Sequence, residues 1–124
     1  MSKTKVGIIG TGYMGGTHAQ LYARNPRAEV HALYDIRPER MEAVSRMTGA
    51  KCMENGEQVI ESCDAIIVTT PNTRHTELTI AAASAGKAVF SEKPMATSLP
   101  EAKTVLDASK NAKVFQVGHN RRFA

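Results

Sequence analysis

The feature that most restricts what this chain can fold into is an alternation. Short apolar, β-like runs cover residues 6–10, 28–34, 50–53, 65–70, 88–91 and 114–118. Stretches with helical spacing separate them, over 13–24, 38–47, 56–62 and 73–85 and from Ser98 onward. Strand–helix–strand alternation makes neighbouring strands parallel, because each helix carries the chain back to the same edge of the sheet. Parallel strands are covered on both faces and read as near-continuous apolar runs, as "AIIVTT" does here. The punctuation agrees. Pro38 suits a first helical turn, and Gly49 and Gly86 suit helix exits. Ser98 and Glu101 have capping-box spacing. Leu78, Ala81, Ala82 and Ala85 define the expected inward face of one helix, and Ala102, Val105, Leu106 and Ser109 that of the next.

The stretch "VGIIGTGYMGGTH" sits at the first strand–helix junction. Gly10-Thr11-Gly12-Tyr13-Met14-Gly15 has the spacing G-x-G-x-x-G. In this context Gly10 permits a tight turn, Gly12 lets the backbone approach a pyrophosphate, and Gly15 lets the helix pack on the sheet. The pyrophosphate lies at the helix N-terminus, where N–H groups and the helix dipole favour anions. Asp35 ends the second β-like run, twenty residues after Gly15. A carboxylate there accepts hydrogen bonds from the adenosine ribose. The expected fold is therefore α/β, a doubly wound parallel sheet (Rossmann fold) of about six strands with helices on both faces. Ligands of such sheets bind beyond the carboxyl ends of the strands, so Asp35-Ile36-Arg37 and the segment "TTPNTRH", with Thr70 as its first expected contact, join the glycine loop as expected cofactor contacts. Asp35 repels a 2′-phosphate and points to NAD, while Arg37 keeps NADP open.

Composition narrows the remaining classes. With 124 residues the chain fits one domain, and 42% apolar with 23% charged residues excludes disordered and collagen-like chains. No apolar run reaches 18 residues, so no transmembrane helix is expected. The start "MSKTKVGIIG" passes from two lysines into a strand without a signal-peptide pattern, and the expected location is the cytoplasm. Cys52 and Cys63 are too sparse for a disulfide framework and wrongly spaced for zinc, so reduced thiols and no metal are expected. The net charge of +4 is spread among acidic residues, with only Arg121 and Arg122 adjacent, which fits a small anionic ligand better than nucleic acid.

"SEKP" follows the fifth run, and Pro94 restricts Lys93 to an extended conformation. A lysine held there can donate to a substrate hydroxyl or take its proton. On local sequence alone, a surface lysine is the commoner outcome. Taken together, "VGIIGTGYMGGTHAQ", "TTPNTRHTELTIAAASAGKAVFSEKPMATSLPEAKTV" and "VGHNRRF" resemble the N-terminal half of the glucose–fructose oxidoreductase / inositol dehydrogenase (Gfo/Idh/MocA) family, over essentially the whole chain. The resemblance implies an NAD(P)-dependent oxidoreductase acting on secondary alcohols of sugars or cyclic polyols. It implies that Lys93 is the catalytic lysine, that Pro71, Asn72 and His75 line the nicotinamide side with Glu92 beside them, and that Arg122 closes the domain where cofactor and substrate meet. It also implies a second, substrate-binding domain in family members. Residues 1–124 are thus expected to be a dinucleotide-binding domain that binds cofactor with little turnover and self-associates through an exposed interface or its terminal arm. Two other readings stay open: a non-enzymatic nucleotide-binding module, with no use for Lys93, and an S-adenosylmethionine methyltransferase, whose ligand lacks a pyrophosphate.

Overall fold

The structure, a computed structural model, describes residues 3–11, 13–69, 74–91 and 99–117. Among the described residues six strands and five helices alternate: β1 (Thr4–Ile9), α1 (Tyr13–Ala23), β2 (Ala28–Tyr34), α2 (Pro38–Thr48), β3 (Lys51–Cys52), α3 (Gly56–Ser62), β4 (Ala65–Val68), α4 (Arg74–Ser84), β5 (Ala88–Ser91), α5 (Leu99–Ser109) and β6 (Val114–Val117). The strands form one sheet in the order β3-β2-β1-β4-β5-β6, and every pairing is parallel. The doubly wound Rossmann arrangement expected from the alternation is the one observed.

The pleat sends successive side chains to opposite faces, and two cores result. On one side Val6, Ile8, Leu33 and Ile67 pack with Ala19 of α1 and with Met41 and Val44 of α2. On the other, Ile9, Ile66, Val68 and Val89 pack with Val59 and Ile60 of α3, Leu78 and Ala82 of α4 and Ala108 of α5. Ile8, Ile9, Leu33 and Ile66 are completely buried. Burial of each such side chain contributes about 2 kcal/mol.

Local chemistry sets the helix ends. Pro38 occupies the first turn of α2, and Gly49 ends it in the left-handed region, its N–H donating to the Ser45 carbonyl at 2.7 Å. The Asn55 side chain caps α3 by accepting from the Gln58 N–H at 2.9 Å, while the Gln58 side chain accepts from the Glu54 N–H at 2.9 Å. Ser98 lies outside the described residues.

Two helical faces differ from expectation. In α4, Leu78 and Ala82 point inward as expected, but Ala81 is only partly covered and Ala85 lies just past the helix and is exposed, while Thr76, Thr79 and Ala83 are buried. In α5, Val105 is buried, but Leu106 is 56% exposed and Ala108 takes the inward position. These two helices pack on each other as well as on the sheet, so their covered arcs are rotated from those that spacing alone assigned. The side chain of Ala102 lies outside the described residues.

One glycine the sequence reading passed over makes room for a helix. A Cβ on Gly7, inside β1, would meet Val59 and lie 2.9 Å from the Cys63 Sγ. Its absence lets α3 approach the sheet, at the point where β1 and β2 shift register between Val6 and Gly7. Cys63 is buried, and that burial raises its thiol pKa above the ordinary 9.0, with the neighbouring Ser62 hydrogen bond opposing the rise. Both Cys52 and Cys63 are free thiols, as expected.

Candidate functional site: the glycine turn at the switch point

The central strand decides where a ligand can enter. From β1 the chain winds outward through β2 and β3, then returns across β1 to β4 and winds the other way. The winding therefore reverses between β1 and β4, and in sheets of this topology ligands bind beyond the carboxyl ends of the strands at that point. Gly10 leaves β1 with φ of 98°, in the region L side chains rarely adopt. Its N–H donates to the Tyr34 carbonyl at 2.8 Å, tying the turn to the end of β2. Helix α1 then opens at Tyr13. The first four N–H groups of a helix have no carbonyl within it to donate to, so this end, at the carboxyl side of the sheet, suits an anion.

Asp35 stands at the end of β2 and is 8% exposed. Its Oδ2 accepts two hydrogen bonds from Thr11, from the N–H at 2.7 Å and the hydroxyl at 3.0 Å. Its Oδ1 accepts from the Arg37 N–H at 2.8 Å. A carboxylate offers about four acceptor positions. Three are filled by described donors, and the remaining one is on Oδ1. Asp35 does not cap α2, whose N-cap is Arg37 without a side-chain bond. Ile36 is 64% exposed, and the Arg37 side chain is exposed beside it.

On the opposite flank, the Thr69 hydroxyl donates to the Gly10 carbonyl at 2.6 Å, and the Thr69 N–H donates to the Ile9 carbonyl at 2.8 Å. The sequence places Thr69 in the segment "TTPNTRH" but singles out Thr70 as the contact. A threonine just past an apolar strand was the available signal, but its neighbour carries the same side chain.

The structure thus brings together Gly10, Thr11, Asp35 and the Arg37 backbone, with Ile36 alongside. Tyr13, Met14 and Gly15 form the first turn of α1, and His75 lies in the first turn of α4; the side chains of these positions lie outside the described residues. Gly12, Thr70, Pro71, Asn72, Glu92, Lys93 and Arg122 also lie outside them. No cluster of three or more metal-ligating side chains occurs among the described residues.

This geometry fits a dinucleotide. The positive-φ turn would let backbone approach a phosphate, the opening of α1 supplies N–H groups, and the Asp35 acceptor that no described donor fills suits a ribose hydroxyl. Residues 4–119 match the model of an oxidoreductase family, Gfo/Idh/MocA, whose matched region is its NAD-binding Rossmann fold. The chain belongs to the Gfo/Idh/MocA family. Among its Gfo/Idh/MocA relatives, inositol 2-dehydrogenase 3 of Saccharopolyspora erythraea is 39% identical, with 96% of this chain and 37% of that protein covered. Glucose-6-phosphate 3-dehydrogenase of Bacillus subtilis is 35% identical, with 96% and 34% covered. In three dimensions the chain superposes on scyllo-inositol dehydrogenase of Lactobacillus casei, solved with NAD(H) and scyllo-inositol, with a TM-score of 0.87 and 27% identity, covering 99% of this chain and 38% of that one. The chain spans little more than a third of the length of these relatives.

Proposed function

We propose that this chain is the cofactor-binding part of a dehydrogenase that moves hydride between NAD and a secondary alcohol of a sugar or cyclic polyol. The observation that carries the reading is the buried Asp35 carboxylate, bonded to the glycine turn and, among the described residues, with one acceptor position not taken by a donor. The names of the family relatives support the substrate class. Asp35 favours NAD, because a 2′-phosphate would bring like charge against a carboxylate that is largely out of water. The exposed Arg37 is the residue through which NADP would be accommodated.

NAD, when bound, supplies the hydride acceptor. The chain's own part is to hold and orient it. The α1 end and the glycine turn bind the diphosphate, Asp35 binds the adenosine ribose, and Ile36 borders the adenosine end. Thr70, Pro71, Asn72, His75 and Glu92 border the nicotinamide, and Arg122 lies where nicotinamide and alcohol meet. Lys93 takes the proton of the alcohol oxygen as general base. The 124 residues alone bind NAD(H) and turn an alcohol over slowly or not at all, since the relatives use nearly three times as much chain. Titrating NAD and NADP into the chain, followed by an assay of NADH production on a panel of inositols and hexoses, tests this. The reading expects saturable binding, tighter for NAD, with little NADH formed. Absence of binding by folded protein contradicts it.

We also propose that the protein works in the cytoplasm, which two free thiols support, and that its copies associate. The support for association is an apolar cavity of about 300 Å³ beside α1, bordered by Val6, Tyr22, Ala65, Phe90 and Val114. Val114 is 57% exposed there. Sedimentation as a monomer at high concentration would contradict association. No described helix is long and apolar enough to cross a membrane.

A further inference from the structure

We infer that Thr11 and Asp35 form a latch that fixes the glycine turn in its anion-receiving shape, so that one carboxylate serves both the diphosphate and the ribose of the ligand. The inference rests on the dinucleotide reading above. Both donors of Thr11, its N–H and its hydroxyl, converge on the same oxygen, Oδ2 of Asp35, at 2.7 and 3.0 Å. Thr11 is 5% exposed and Asp35 8%. A pair of bonds to a charged, largely buried acceptor sets the orientation of the peptide between Gly10 and Thr11 more firmly than one bond would. It also occupies the Thr11 N–H, leaving the diphosphate to the N–H groups that begin with the helix. On the other flank the Thr69 hydroxyl holds the Gly10 carbonyl at 2.6 Å. The turn is therefore pinned from β2 through Thr11 and from β4 through Gly10.

The two carboxylate oxygens divide the work. Oδ2 is filled by Thr11, and Oδ1, with only the Arg37 N–H on it among the described donors, keeps the place for a ribose hydroxyl. Thr11 is then a positioning residue: its hydroxyl faces Asp35, and it acts on the ligand through the shape of the turn.

Removal of Asp35 alone would mix three effects, because it deletes the latch, the ribose contact and a negative charge beside an anionic ligand. Thr11→Val is nearly isosteric, leaves the charge unchanged and deletes only the hydroxyl. The test measures the affinity of the 124-residue chain for ADP and for 2′,3′-dideoxyadenosine diphosphate, which keeps the diphosphate but has no ribose hydroxyls. Thr11→Val is expected to weaken both ligands by the same factor, about fivefold for one lost hydrogen bond. Thr11→Ser, which keeps the hydroxyl, restores both. Asp35→Ala abolishes the preference for ADP over the dideoxy compound.

The latch is overturned if Thr11→Val leaves both affinities unchanged or weakens ADP alone. Wild-type protein that binds neither nucleotide would overturn the dinucleotide reading and the latch with it. Should Thr11→Val fail to fold, amide exchange in the unliganded wild type decides. Slow exchange at Thr11 supports the latch, and exchange at the rate of an open loop overturns it.

Discussion

The two edges of the sheet carry opposite designs. At the carboxyl edge a helix begins, a glycine turn with positive φ sits against it, and a buried aspartate is hydrogen-bonded into the turn. At the amino edge α3, α4 and α5 end, and Lys3, Lys87 and Lys113 surround a cavity of about 540 Å³ together with Asp64. By its cavity and its lysines, the amino edge looks like an anion site. Helix dipoles reverse that judgement. The ends of α3, α4 and α5 present carbonyl groups and partial negative charge, which the lysines balance. The start of α1 presents N–H groups and partial positive charge, which an anion balances. The direction of the backbone therefore separates a binding edge from a solvated one, and cavity size does not.

This contrast can be broken or sharpened by substitution. The largest expected effect is Gly10→Val, which forces a β-branched residue to φ of 98°. Strain of about 2 kcal/mol and a displaced turn should lower NAD affinity more than tenfold by calorimetry. Asp35→Ala comes next, with an expected loss of about tenfold or more, because hydrogen bonds to a charged group contribute about 1.5–3 kcal/mol. The same variant should narrow the preference for NAD over NADP. Gly7→Ala, within β1 but away from the turn, should act on stability alone. Its Cβ crowds Val59 and Cys63, so an overpacking cost of about 1–3 kcal/mol in denaturant melts is expected, with unchanged NAD affinity.

Cys63 supplies a pH test near the amino edge. Burial raises its thiol pKa above 9.0, so the folded state prefers the neutral form. The associated stability is fully present below the unfolded value and is lost as pH rises above it. Cys63→Ala should flatten that alkaline decline, read as denaturation midpoints across pH. The smallest effect belongs to Lys87→Ala with Lys113→Ala: about 0.5 kcal/mol or less in stability and no change in NAD affinity. A large loss of NAD binding in that pair would reverse the assignment of the two edges.

Much of this was legible in the sequence, for identifiable reasons. The bounds of β2, α3 and β5 agree with the apolar runs and turn residues that flank them. Gly10 and Asp35 were readable because G-x-G-x-x-G after a strand, and an acid at the next strand end, each have a mechanism behind them. The covered faces of α4 and α5 were less legible. A stretch such as "TIAAAS" has little polar contrast, so spacing leaves the rotation open, and packing between the two helices settles it. Gly7 was hidden because a glycine inside an apolar run carries no pattern; only the approach of Val59 and Cys63 shows its use. The bond from Thr11 to Asp35 joins residues 24 apart, and no local spacing encodes it. Thr69 was passed over for Thr70 because the strand end could not be fixed to one residue.

The most direct test of the central claim is an amide chemical-shift map of the chain titrated with NAD. The account predicts saturable shifts concentrated at Gly10, Thr11, the first turn of α1, Asp35 to Arg37 and Thr69, with Lys87 and Lys113 unmoved. Shifts centred on the amino edge, or none in a well-folded sample, would contradict it.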